Sequence, residues 1–189
     1  MNRRIRTARV VLVFVVCLAL VTSVLVPTTV AGQATLGDLQ FAGDGTAGTQ
    51  GGTTYLWASE SLQVTGTLRT DGGTGPYDLC ATLRAAGNGS DQQLTCQSLS
   101  AEGTASFSLA VDSMPENVTG AHMIDVTLRN TSSSTVTDSA SLSVHILRKD
   151  GDLDGDGLSN SREIGNETLV AVADTDGDTL DDGREAELG

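Results

Sequence analysis

The sequence predicts an all-β protein: an antiparallel β-sandwich followed by a short tail of acidic loops. Three observations lead there. Apolar and polar residues alternate with period 2 through most of residues 53–147, the mark of strands with one buried face. Turn-forming segments separate the alternating runs, and no amphipathic helix of useful length occurs before residue 158. From residue 150 onward the alternation gives way to Asp-Gly runs.

Residues 1–34 read as an export signal. Arg3, Arg4, Arg6 and Arg9 precede an apolar run from Val10 to Val26, and a small-residue region ends in TTVAGQA, with cleavage expected after Ala31 or Ala34. The alternative is an uncleaved N-terminal anchor, because the 17-residue run just reaches the length that spans a bilayer. Cys17 lies inside the run, too early for a lipid-attachment cysteine. Residues 35–52 read as a flexible Gly/Thr-rich segment. The stretch GDGTAG from Gly43 formally matches the G-x-G-x-x-G nucleotide fingerprint, but nothing helical follows it, so no cofactor site is expected there.

Residues 53–149 carry the strands. Leu62, Val64 and Leu68 form one inward row, and Tyr77, Leu79, Ala81 and Leu83 a second. Phe107, Leu109 and Val111 follow, then Ile124, Val126 and Leu128, then Ala140, Leu142, Val144 and Ile146. The segments TDGGTGP, AAGNGSD, SAEG, SMPENVTG and NTSSST read as the turns between them. Six to eight strands over about 110 residues fit an immunoglobulin-like sandwich. In pattern the region resembles the Ig-like modules of microbial surface proteins.

Cys80 and Cys96 are an even pair in an exported chain and read as a disulfide. Cys80 shares parity with Asp78 and Thr82 instead of the apolar row, so the bridge belongs between neighbouring strands on the less buried face. Sequons for N-glycosylation occur at Asn88, Asn117, Asn130 and Asn166, three of them in expected turns. The whole chain has a net charge of −13. The first 34 residues hold four of its eleven basic residues and no acid, so the remainder stands at −17. Lys149 is the only lysine. That composition excludes a nucleic-acid partner, which needs clustered Lys or Arg, and it resembles the surface of a secreted protein from an extreme halophile. No HExxH, GxSxG or Walker loop is present, and the two histidines, His122 and His145, sit in strands with no nucleophile pattern. Six aromatic residues leave little for a sugar platform, and the expectation is a non-enzymatic protein.

The chemistry is concentrated in the tail, residues 150–189. DLDGDGLSNSRE places Asp152, Asp154, Asp156, Leu158, Asn160 and Glu163 at positions 1, 3, 5, 7, 9 and 12 of an EF-hand-type loop, with Gly157 at the turn position. DTDGDTLDDGRE repeats the offsets with Asp174, Asp176, Asp178, Leu180, Asp182 and Glu185, but Thr179 stands where glycine belongs. A hard cation takes six to eight oxygens at about 2.3–2.6 Å, and a tight loop turns alternate side chains inward to supply them. Without the cation, four carboxylates in the first loop and five in the second repel by about 1 kcal/mol per pair at ~4 Å even in water. The tail is therefore expected to fold only when loaded with calcium (Ca2+).

No helix precedes the first loop, and only a short one fits after each. With that spacing the tail resembles the thrombospondin type 3 repeats of microbial secreted proteins, whose units look like DxDGDGLSDGEE. The resemblance implies a structural calcium ion at Asp152, Asp154, Asp156, Asn160 and Glu163, and no catalysis. The expected function is a secreted or cell-surface structural or adhesive module, with a cell-envelope or extracellular protein or glycan as partner. The alternative is a dockerin-like accessory subunit of an extracellular complex.

Overall fold

The computed structural model describes residues 34–84 and 90–189. The expected export signal up to residue 33 and the sequon at Asn88 lie outside the described residues. Among the described residues seven strands come first: β1 (Ala34–Ala42), β2 (Thr46–Gln50), β3 (Thr53–Trp57), β4 (Leu62–Leu83), β5 (Gln92–Val111), β6 (Gly120–Asn130) and β7 (Thr135–Leu147). Two helices follow, α1 (Asn160–Asn166) and α2 (Asp182–Leu188).

The all-β, Ig-like sandwich predicted from the alternation is what forms. Hydrogen-bonded neighbours run β1-β4-β6-β7-β3-β2, with β5 lying along β4. Every pair is antiparallel except β3 with β7. The first half of β4 pairs with β1 and its second half with β6, while β5 follows it throughout. The long β4–β5 ribbon thereby passes from one layer to the other. Across the layers, the Leu36 amide donates to Asp138 Oδ2 of β7 at 2.7 Å.

One apolar core fills the space between the layers. Leu62, Val64 and Leu68 from β4 meet Leu109 and Val111 from β5, and Ile124, Val126 and Leu128 from β6. Cross-strand partners match apolar to apolar, as in Val64 with Leu109 and Leu79 with Leu128. Burying each such side chain contributes about 1.5–3 kcal/mol. Of the expected inward rows, Phe107, Ala140 and Leu142 are only partly buried.

Three sequence expectations are corrected. Residues 35–52, marked as a flexible segment, are instead β1 and β2. The alternation of β1 is hidden by a register shift between Gly37 and Gln40, with Asp38 at φ 51°. β2 turns back on β3 through Gly51 and Gly52, pairing Gln50 with Thr53. Among the described residues the fold therefore includes everything from Ala34, which is fully buried opposite Thr70, and does not wait for residue 53. TDGGTGP and SAEG are not turns between strands. They face each other in the middle of β4 and β5, where the register shifts between Thr70 and Gly75, so the glycines bend the ribbon and do not reverse it.

Cys80 and Cys96 are directly opposite each other on β4 and β5 and form a disulfide. The bridge joins neighbouring strands, and Cys96 is exposed, as the parity of Cys80 required.

The tail is seated on the sandwich. A second apolar cluster joins Tyr55 and Trp57 of β3 and Leu147 of β7 to Val170, which lies in the connector between the two helices and is fully buried. Gln50 of β2 grips the same connector with both ends of its amide: Nε2 donates to the Thr168 carbonyl at 2.8 Å, and Oε1 accepts the Val170 amide at 3.1 Å.

Candidate metal centre

Loop 1 folds around its own aspartates. Asp152 Oδ1 accepts the Gly155 amide at 2.7 Å and its Oδ2 the Gly157 amide at 3.0 Å. Asp156 Oδ1 accepts the Leu158 amide at 2.6 Å, and Asp154 Oδ1 the Asp156 amide at 3.4 Å. The tight turn depends on Gly157, whose φ of 92° is costly for any residue with a Cβ. As a result Asp152, Asp154 and Asp156 each place a carboxylate oxygen within 4.8 Å of the others.

Helix α1 delivers the fourth carboxylate. Glu163 is 0% exposed, and neither of its oxygens has a hydrogen-bond partner. Asp154 Oδ2 is likewise buried without one. Burial, reinforced by the fields of Asp154, Asp156 and Asp152, pushes the Glu163 carboxyl up to about 7. Buried polar atoms are otherwise almost always partnered, and a buried carboxylate beside three more lacks a positive charge. That is the environment a metal ion completes.

The other two residues of the first loop template have different places. Leu158 has its side chain buried, 1% exposed, whereas the seventh position of the template would ligate through its main-chain carbonyl. Asn160 is also buried, and its side chain is engaged on both ends: Oδ1 accepts the Leu153 amide at 3.1 Å and Nδ2 donates to the Arg148 carbonyl at 2.8 Å. The ninth position thus clamps the loop closed and ties it to the end of β7.

Loop 2 repeats this network nearly bond for bond. Asp174 accepts the Gly177 and Thr179 amides at 2.7 and 2.8 Å, Asp176 the Asp178 amide at 3.2 Å, and Asp178 the Leu180 amide at 2.9 Å. Asp182 takes the role of Asn160, accepting the Thr175 amide at 2.9 Å and the Thr175 hydroxyl at 2.6 Å. Asp174, Asp176 and Asp178 form a second triplet with oxygens within 4.8 Å. Glu185 is half-buried, and its carboxyl is raised by burial and then by Asp176, Asp178, Asp182 and Asp174. Both triplets can hold a metal ion, and loop 1 has the more enclosed fourth carboxylate.

The remaining sites named from the sequence are scattered. Asn117 and Asn166 are exposed, and Asn130 Oδ1 accepts the Ser132 and Ser133 amides at 3.0 and 3.1 Å. His122 and His145 line a cleft of about 550 Å³ together with Arg84 and Met123, and Arg84 is engaged by Asp125. What the sequence did not mark is the seat of the tail. The side chains of Gln50, Trp57 and Val170 come together from positions far apart in the chain, and no spacing announces them.

No family model matches the chain. No curated protein matches it either. Among solved structures, a Bacteroides uniformis β-glucuronidase is similar over 60% of this chain and 14% of its own length, at 14% identity and a TM-score of 0.43. The CARDB domain of a Pyrococcus furiosus protein, solved in complex with di-metal ions, is similar over 61% of this chain and 89% of its own, at 11% identity and a TM-score of 0.38. A Niemann-Pick type C2 protein from Japanese carpenter ant gives 60% and 92%, at 6% identity and a TM-score of 0.43. Likeness at this level carries no function across. Among the described residues, no helix is long and apolar enough to cross a membrane.

Proposed function

We propose that this is a secreted or surface-attached structural module whose C-terminal repeats bind calcium and are stiffened by it. The observation that carries the reading is Glu163: a fully buried carboxylate with both oxygens unpartnered, next to Asp152, Asp154 and Asp156. Those residues supply the ion's side-chain oxygens in loop 1, and Asp174, Asp176, Asp178 and Glu185 do so in loop 2. All-oxygen donors on a flexible Gly-rich loop with a twelfth-position glutamate suit calcium better than magnesium, which demands near-ideal octahedral geometry and keeps its waters.

Calcium does its work by neutralising carboxylates that otherwise repel each other. With that repulsion relieved, α1 is held more firmly with Glu163 inward, and the connector with Val170 against Tyr55, Trp57 and Leu147. The ion turns an acidic string into a rigid extension of β7. The disulfide supports an oxidising, extracellular setting, and the acid excess supports solubility at high salt. The partner is an envelope or extracellular protein or glycan held at a distance fixed by the stiffened tail.

The test is a calorimetric titration of calcium into the purified protein, followed in parallel by emission from Trp57, the only tryptophan. Two binding events near 0.1–1 mM, the range of about 10⁻⁴–10⁻³ M common in extracellular modules, and a blue shift of Trp57 are expected. Glu163→Ala removes one event. Absence of heat, or equal heat from magnesium, overturns the reading.

A further inference from the structure

The second repeat reaches back to the first. The Gly183 amide, at the start of α2, donates to Asp156 Oδ2 at 2.7 Å, while Asp156 Oδ1 is held by the Leu158 amide at 2.6 Å. Gly183 is buried, and a Cβ at that position would fall under 3.0 Å from the Asp156 carbonyl oxygen. Only glycine lets α2 sit flush against loop 1. Behind it runs a continuous chain of bonds. The Leu169 amide donates to the Thr175 hydroxyl at 2.9 Å, and that hydroxyl donates to Asp182, the neighbour of Gly183.

The corresponding amide in repeat 1 does the same thing to a different neighbour. Ser161 stands one residue after Asn160, as Gly183 stands one after Asp182, and its amide donates to the Lys149 carbonyl at 3.1 Å. In each repeat the tenth loop position grips whatever precedes the repeat: the strand end for repeat 1, and a metal-site carboxylate for repeat 2.

Granted calcium binding at the first loop, we propose that Gly183 is a positioning residue for that site, so that the first loop is complete only when the second repeat is folded on it. Asp156 is fixed by one amide from its own loop and one from the next. The second loop folds around its own ion, and so loading it sets the Gly183 amide and raises the affinity of the first. The two ions then bind as a positively coupled pair, and by reciprocity the first ion strengthens the second.

The test uses calcium calorimetry on the full chain. The heat belonging to loop 1 is assigned by its loss in Glu163→Gln. Glu185→Gln disables loop 2 without altering Gly183 or any residue of loop 1, and it is expected to weaken the loop 1 event more than threefold. Gly183→Ala, with both ligand sets intact, is expected to do the same, and Arg184→Ala on the exposed side of α2 to do neither. A loop 1 affinity that stays within threefold of the unmodified protein in Glu185→Gln overturns the coupling, whatever Gly183→Ala does to folding. Failure of the unmodified protein to bind calcium at all is a separate result and overturns the parent reading.

Discussion

Gly157 and Thr179 occupy the same turn of their respective loops, at φ 92° and φ 82°, and each donates its amide to the first aspartate of its loop, Asp152 at 3.0 Å and Asp174 at 2.8 Å. The missing glycine has therefore not changed the shape of the second loop. It has changed its cost, because a β-branched residue at positive φ is strained by about 1–2 kcal/mol. Thr179→Gly is expected to stabilise the tail by about 1 kcal/mol and to tighten calcium at the second loop several-fold. Denaturant unfolding with and without calcium, together with calorimetry, checks both.

Glu163 gives the metal-free protein an unusual pH dependence. Its carboxyl is pushed up to about 7 in the fold, against an ordinary value of 4.5. The folded metal-free tail therefore prefers the protonated form. Stability from this group is fully present below pH 4.5 and is lost as pH rises through about 7. With calcium bound the order reverses, since the ion requires the carboxylate. Calcium is expected to bind more weakly at pH 6 than at pH 8, releasing close to one proton per first-loop ion at pH 6. Titrations in buffers of different ionisation enthalpy measure that proton.

Val170 and Gln50 are the mechanical link between tail and sandwich. Val170→Ala empties a fully buried position against Trp57 and is expected to cost about 2 kcal/mol in calcium-loaded protein. Gln50→Ala removes both hydrogen bonds to the connector. Either change is expected to shift Trp57 emission to the red while leaving two calcium events. An unshifted Trp57 spectrum in both variants means that the connector is not what buries that ring.

The disulfide closes a separation of 16 residues between strands that already pair along their whole length. Replacing Cys80 and Cys96 together with serine is expected to cost about 3 kcal/mol without disturbing the sandwich or calcium binding. Thermal unfolding and circular dichroism test the two halves of that statement.

The two aspartate triplets were legible in the sequence because acidic side chains at alternate positions of a tight loop converge whatever lies around them, and no tertiary partner is needed to read that. The inward rows of β4 and β6 were legible for the same reason: Leu79, Ala81, Val126 and Leu128 alternate without interruption. Three features were not. The bulge near Asp38 breaks the alternation of β1, so a real strand looked like a loop. TDGGTGP carries the residues of a turn but only bends β4, because β5 stays paired on both sides of it. Asn160 stands at a ligand position of the loop template, yet its amide is committed to Leu153 and Arg148, and a one-dimensional template cannot see that the end of β7 lies within reach.

The parallel pairing of β3 with β7 has a consequence for load. Tension on the tail is passed by the loop 1 clamp straight into β7 and draws that strand lengthwise. Its ladders, running from Thr54 to Trp57 on one side and across to β6 on the other, are strained all at once in shear and do not open one rung at a time. A strand loaded in this way resists being peeled, which is what the proposed calcium-stiffened tail would need from the sandwich that carries it.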